Sequence, residues 1–174
     1  MRNPQRPKSQ QMPVTTYLQM FSNPRQVVPR PRDDLAVIRA TKPTLAYYRF
    51  LYDAVGKDWN WTSRKKLSDI ALARIIHDPR DEVHVLYVDG VPAGFAELDR
   101  RVEGEVEISQ FGLMSGFIGR GLGKYFLNWT VLRAWSYNPR RLWLHTCTED
   151  HPSALPNYLK AGFAIYKEDT KAEE

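Results

Sequence analysis

Residues 105–135 read EVEISQFGLMSGFIGRGLGKYFLNWTVLRAW, and this stretch decides the fold. From Glu107 to Met114 the side chains alternate in the way that is typical of a strand buried on at least one face. From Gly121 onward the large apolar residues recur at intervals of three and four, which predicts one helical stripe of Leu122, Tyr125, Phe126, Trp129, Leu132 and Trp135. The stretch is therefore predicted to form a strand, a glycine-rich turn and an amphipathic helix.

The turn between the strand and the helix carries the chemistry. Gly119, Gly121 and Gly123 have no side chains, so that several backbone N–H groups can approach an anion closely. Arg120 and Lys124 add positive charge, and the dipole of the helix reinforces the preference for an anion. These residues predict a binding site for a diphosphate, rather than a turn whose glycines serve packing only.

Two well-known phosphate loops do not fit the spacing. A Walker loop would need Gly in place of Ile118 and Ser or Thr in place of Tyr125. The dinucleotide fingerprint would need its third Gly where Lys124 stands. Neither of these nucleotide-binding folds is supported.

The turn resembles the acyl-CoA loop of the GNAT superfamily of N-acetyltransferases, which has the form Gln/Arg-x-x-Gly-x-Gly/Ala. The chain has the sequence IGRGLG at 118–123, with Ile118 in the position where Gln or Arg is usual. A second segment, LHTCTEDHPSALPNYLKAGF at 144–163, resembles the second conserved block of the family. It matches at Ala154, Tyr158, Gly162 and Phe163, whereas His151 stands where the family usually has Asn.

The resemblance spans roughly residues 34–167 and implies a fold and a cofactor. The expected fold is α/β, with a mixed, mostly antiparallel sheet flanked by helices and splayed around acyl-CoA. Acetyl-CoA would act as the co-substrate, and no metal is expected. The implied contacts to it are Leu113, Met114, Gly119, Arg120, Gly121, Leu122, Gly123, Lys124 and Asn157.

The same resemblance suggests an acid and a base for transfer of an acetyl group to a primary amine by direct attack. Tyr158 occupies the position of the phenol that protonates the CoA sulfur in the family. Glu107, on the strand that leads to the turn, is the first candidate for the base, and flanking Val106 and Ile108 would raise its pKa by burial. Glu97 is the second candidate, and either carboxylate would work directly or through a water.

The remaining elements follow from periodicity and turn signals. Helices are predicted over 43–55 and 64–77, and Asp89-Gly90 predicts a tight hairpin between strands. Gly112 is predicted to mark a bulge. The resemblance implies that the region between the two helices overhangs the acceptor site, so Trp59 and Trp61 are candidates for lining it, with simple core packing as the alternative.

Charge is distributed unevenly along the chain. The formal net charge is +5, yet residues 1–32 carry six basic side chains and no acidic one. We expect a basic N-terminal arm over 1–32, with a possible strand at 14–20 at an edge of the sheet, and an acetyltransferase domain over 33–170. The arm is rich in Pro and Gln, so a solvated leader is expected rather than a nucleic-acid partner.

One cysteine, the lack of a leader and the lack of a long apolar run predict a cytoplasmic protein without membrane partners. Cys147 lies between His145 and His151, but a structural thiol is favoured over a nucleophile. The acceptor is expected to be a small-molecule or peptide amine, and a homodimer is left open. The alternative of another class is a non-catalytic acyl-CoA-binding sensor or regulatory module with a basic arm.

Overall fold

A seven-stranded sheet organises residues 12–170, the part of the chain that the computed structural model describes. The strands are β1 (Val14–Met20), β2 (Leu35–Arg39), β3 (Asp81–Val88), β4 (Val91–Asp99), β5 (Glu105–Leu113), β6 (Arg141–Cys147) and β7 (Ala164–Thr170). The helices are α1 (Leu45–Gly56), α2 (Asp69–Ile76), α3 (Leu122–Trp135) and α4 (Ala154–Lys160).

The strands lie in the order β2-β3-β4-β5-β6-β1-β7. All neighbouring pairs are antiparallel except β5 and β6, which are parallel. The turn from β3 to β4 has positive φ at both Asp89 (48°) and Gly90 (77°), as a two-residue hairpin of the predicted kind requires. The predicted mixed, mostly antiparallel sheet flanked by helices is confirmed.

The first strand has a different place from the one predicted. A strand does form over Val14–Met20, but it lies between β6 and β7 and pairs with both, so its predicted position at an edge of the sheet is wrong. Leu18 and Met20 from this strand are buried in the core. A division of the chain at residue 33 would therefore remove an interior strand.

The two faces of the sheet carry different helices. On one face, α1 and α2 pack against Val83, Val85 and Phe95. On the other face, α3 packs against neighbouring strands on both sides of the boundary between β5 and β6, while α4 contributes Tyr158 to the same core. Among residues 12–170, no helix combines the length and the apolar character needed to cross a bilayer.

Two helical predictions need correction. The second helix covers Asp69–Ile76 only, because the Ser68 hydroxyl accepts a hydrogen bond from the Ala71 amide and caps the helix there. In α3, Leu132 was placed on the buried stripe but is 36% exposed, whereas Leu127 and Val131 are buried. The helix packs against two core clusters, so its buried surface includes residues outside the single predicted stripe, such as Leu127 and Val131.

The parallel strands β5 and β6 separate soon after they meet. They pair only over Glu105–Glu107 and Arg141–Trp143. Beyond that point β5 continues beside β4, and β6 continues beside β1. An extra residue in β5, Ser109, produces a bulge opposite Glu97 and Leu98, and bulges bend the strand that contains them. A gap therefore opens through the middle of the sheet.

The interior position of β1 leads to a stability prediction. Leu18 is 0% exposed, so Leu18→Ala should lower the free energy of unfolding by about 2–5 kcal/mol through lost burial and a residual cavity. Phe21→Ala, just outside the strand where the side chain is 65% exposed, should change it by less than about 0.5 kcal/mol. Urea denaturation of both variants measures the difference. Equal stability of the two variants would contradict the interior placement of β1.

Candidate active site

The gap between β5 and β6 is the floor of a cleft of about 850 Å³. One end of the cleft, which we call the cradle mouth, is formed by the turn at 118–124 and by α4. The other end, which we call the acceptor mouth, is formed by Tyr52 of α1, the loop at 59–63, the start of β1, the end of β6 and the loop at 149–151. The cleft therefore connects two regions that could each hold one of two substrates.

The cradle mouth has the geometry of an anion site. Gly119 and Gly121 adopt φ of 79° and 76°, and no heavy atom lies within 4 Å of the position that a Cβ would occupy at either residue. Gly121 is the N-terminal cap of α3, and no side chain of residues 12–170 bonds to the free amides of the first turn. Backbone N–H groups at the start of a 14-residue helix are thus left available to a diphosphate.

The predicted cofactor contacts are only partly brought together. Leu113, Gly119, Gly121, Gly123, Lys124 and Asn157 line the cleft. Three others do not. The Leu122 side chain is buried in the core, the Arg120 guanidinium lies 5.2 Å from the centre of the Phe117 ring, and the Met114 amide donates to the Ala93 carbonyl. The glycines of the turn, together with Lys124, Leu113 and Asn157, therefore form the part of the predicted set that faces the cleft.

The cleft-facing edge of β5 can bind an extended ligand. Residues 108–113 line the cleft, and no strand of the described part of the chain pairs with them on that side. An unpaired strand edge offers N–H and C=O groups to a molecule that carries amides of its own. The predicted bulge at Gly112 is wrong. The bulge is at Ser109, and Gly112 is needed for close packing, because a Cβ there would lie 2.5 Å from Val55 Cγ1.

Tyr158 lies on the wall of the cleft, on α4. Its side chain is 7% exposed, and its ring packs edge-on against Phe111 and Phe163. Its hydroxyl makes no hydrogen bond to any residue within 12–170. Burial, with a smaller contribution from the carboxylate of Asp150, raises the pKa of the phenol, so that the hydroxyl keeps its proton at neutral pH.

Glu107 is the last residue of β5 that pairs with β6, so it lies where the cleft closes. Its side chain is half-buried and is not part of the cleft wall, which begins at the next residue, Ile108. Burial raises the pKa of Glu107 to about 7, and the negative charge of Asp99, directly opposite on β4, adds to the effect. Such a carboxylate can accept a proton near neutral pH.

Glu97 has a different environment. It is 0% exposed, and its carboxylate forms a salt bridge with Arg64 and accepts hydrogen bonds from the hydroxyl groups of Tyr48 and Ser109. Arg64 belongs to the loop between α1 and α2, so this buried pair fixes the loop to the sheet. The Glu97 carboxylate does not line the cleft.

The acceptor mouth contains both predicted tryptophans. Trp59 and Trp61 line the cleft, and Trp61 also packs against the core under α1. The Trp61 indole N–H donates to Asp150 Oδ1 over 3.0 Å, and the Trp59 ring lies 5.0 Å from the His151 ring. The loop at 59–61 is thereby joined across the cleft to the loop at 149–151.

Residues of the site that were not identified from the sequence include Arg64, Asp99 and Asp150. Asp150 Oδ2 accepts hydrogen bonds from the Thr146 hydroxyl and the Cys147 amide, so this side chain fixes both walls of the acceptor mouth. The Asp89-Gly90 turn alone would place Leu98 opposite Asp81, and an extra residue at Ala93 shifts the register by one so that Asp99 lies there instead. Arg64 and Asp150 carried no local signal.

Comparison with known proteins identifies relatives. The model of the acetyltransferase (GNAT) family matches residues 47–163. An uncharacterised N-acetyltransferase of Mycobacterium bovis is 29% identical over 99 residues, which are 57% of this chain and 63% of the relative. A counterpart in Mycobacterium tuberculosis matches to the same extent. The chain thus spans less than two thirds of the length of these relatives.

Solved structures share the fold at low sequence identity. A GCN5-related N-acetyltransferase from Sphaerobacter thermophilus is 17% identical with a TM-score of 0.63, and the match covers 91% of this chain and 50% of that one. An aminoglycoside acetyltransferase from an uncultured soil metagenomic sample is 13% identical with a TM-score of 0.60, covering 83% of this chain and 94% of that one. At these identities the likeness concerns the fold alone.

The buried pair of Arg64 and Glu97 predicts a specific pattern of stability. Arg64→Met should lower the free energy of unfolding by about 3–5 kcal/mol, because it leaves the Glu97 charge buried without its cation. Adding Glu97→Gln should restore most of that loss. Lys65→Met, which breaks the exposed neighbouring pair with Asp53 (2.7 Å), should cost less than about 1 kcal/mol. A double-mutant cycle by urea denaturation tests this, and additive effects of the two substitutions would contradict it.

Proposed function

The chain belongs to the GNAT acetyltransferase family, and we propose that it transfers an acetyl group from acetyl-CoA to a primary amine by direct attack. The observation that carries the proposal is the cleft through the sheet. It has an anion site at one mouth, an unpaired strand edge along its length and a protonated phenol on its wall. This arrangement fits a long, amide-bearing phosphate ester whose reactive end must meet a second substrate.

Acetyl-CoA would bind with its diphosphate at the start of α3 and near Lys124. Its amide-bearing arm would follow residues 108–113 of β5, whose cleft-facing edge is unpaired. The thioester would then lie between the two mouths, where Tyr158 can reach the sulfur. Holding both reactants in one cleft removes much of the entropic cost of their encounter.

The reaction requires three proton transfers. The aminium group of the acceptor loses a proton to Glu107, through a water because this carboxylate is set back from the cleft wall. The neutral amine attacks the thioester carbonyl, the N–C bond forms and the C–S bond breaks. Tyr158 donates its proton to the departing thiolate and recovers one from the nitrogen by way of solvent. We prefer Glu107 to Glu97 as the base, because Glu97 is already committed to Arg64.

Calorimetry with acetyl-CoA, followed by thiol release in the presence of a panel of amines, tests the proposal. Tyr158→Phe should bind acetyl-CoA within a few-fold of the unmodified protein but release thiol about 100-fold more slowly, since the general acid is lost. Tyr166→Phe, on the exposed strand β7, is the matched control and should leave both measurements unchanged. Binding without any release would favour an acyl-CoA-binding module, and no binding would overturn the proposal.

The role of Glu107 predicts a pH dependence. The base must be ionised, so kcat/KM should rise with pH and level off above about 7, the raised pKa of this group. Glu107→Gln should remove that inflection and lower the rate about 100-fold. Asp99→Asn should move the inflection to lower pH, because it removes a neighbouring negative charge.

Glu105→Gln is the matched control for this profile. Glu105 lies on the same strand, but its carboxylate pairs with Arg141 at 3.4 Å. Its variant should keep the inflection of the unmodified protein. An unchanged profile in Glu107→Gln would show that another group, or the amine itself, sets the pH dependence.

A further inference from the structure

The acceptor mouth is built largely of aromatic rings that pack on one another in pairs. The ring centres of Tyr52 and Trp61 are 5.4 Å apart, and those of Trp59 and His151 are 5.0 Å apart. The rings of Tyr17 and His145 form a third pair at 5.7 Å. Rings that already hold one another in place can contact a ligand with little loss of side-chain entropy.

The hydrogen bonds across the mouth reinforce this order. The Trp61 indole N–H is bonded to Asp150, and the Asn60 amide approaches Glu149 Oε1 at 3.5 Å. These contacts join the loop at 59–61 to the loop at 149–151. Because Trp59 and Trp61 belong to a loop that is fixed at both sides of the cleft, the aromatic surface is available before any acceptor binds.

The charges around the cleft disfavour acceptors that carry a carboxylate. Of the described residues that line it, Lys124 is the one Lys or Arg, and it lies in the cradle mouth. The acceptor mouth contains the carboxylates of Asp150 and Glu149. Asp150 accepts three hydrogen bonds within the protein, whereas Glu149 is exposed and has one long contact. Glu149 is therefore the carboxylate that an incoming aminium group meets.

We propose that the acceptor is a primary amine with an aromatic body and no acidic group beside the amine. The rings at 17, 59 and 61 would contact the aromatic body, with the buried Tyr52 packed against Trp61, and Glu149 would attract the aminium group. A carboxylate next to the amine would find no Lys or Arg among the described residues of this mouth and would face Glu149 instead. This inference rests on the proposed acetyl transfer, and it names the class of acceptor for that same site.

Pairs of amines that differ by one group test the proposal on the full chain. Tryptamine and tryptophan differ by the carboxylate, as do phenethylamine and phenylalanine. With acetyl-CoA saturating, kcat/KM for each amine should exceed that for the matching amino acid at least tenfold. Tryptamine should also exceed hexylamine at least tenfold, because hexylamine lacks the ring. Ligand-observed NMR on the CoA-bound protein should give the same order of binding, independently of turnover.

Two variants probe the residues in the argument. Glu149→Lys should raise the ratio of kcat/KM for tryptophan over tryptamine at least tenfold, since it places a cation where the carboxylate of tryptophan would lie. Trp59→Ala should lower kcat/KM for tryptamine more than for hexylamine. Asp58→Asn removes an exposed carboxylate that neighbours Trp59 but does not line the cleft, and should leave both ratios unchanged.

The outcomes separate this inference from the proposed function. Thiol release with amino acids, polyamines or aminoglycosides in preference to the aromatic amines would overturn the acceptor class and leave acetyl transfer standing. Equal NMR binding of tryptamine and tryptophan, or binding of neither, would also overturn the acceptor class. Failure of acetyl-CoA itself to bind would overturn both proposals.

Discussion

The separation of β5 from β6 is the constraint on which the candidate site depends. A parallel pair that continued for the whole length of both strands would use up the backbone groups of residues 108–113 and leave no path through the sheet. The pairing stops at Glu107 because β4 and the bulge at Ser109 direct β5 one way, while β1 holds β6 in another. The cleft therefore exists because β5 pairs with β4 and β6 pairs with β1, and the same pairings hold it open.

The two candidate carboxylates, Glu97 and Glu107, lie in different electrostatic environments. Glu97 is fully buried but neutralised by Arg64, so it stabilises the loop between α1 and α2 against the sheet. Glu107 is partly buried, no cation within residues 12–170 is bonded to it, and Asp99 stands opposite. The pKa of Glu107 is therefore raised to about 7, at which a carboxylate can accept a proton near neutral pH. The position of Arg64 decides which of the two carboxylates is neutralised by a salt bridge.

Much of the fold could be predicted because its signals are local. The hairpin at Asp89-Gly90, the strand before the glycine turn and the helix after it all follow from side-chain period and from φ requirements. Errors arose where one element meets two others. Leu132 shares the spacing of the buried stripe but faces solvent, and β1 reads as a strand from its composition, which says nothing about its neighbours.

The sequence by itself determined the glycine turn at the start of α3, because positive φ at Gly119 and Gly121 and free amides at a helix start are properties of consecutive residues. It also pointed to Glu107, Tyr158, Trp59 and Trp61 through their resemblance to a known pattern. Only the tertiary structure decided that Asp150 joins the walls of the acceptor mouth. Burial, charge pairing and pKa depend on side chains that are distant along the chain, and no local pattern records which of them will meet.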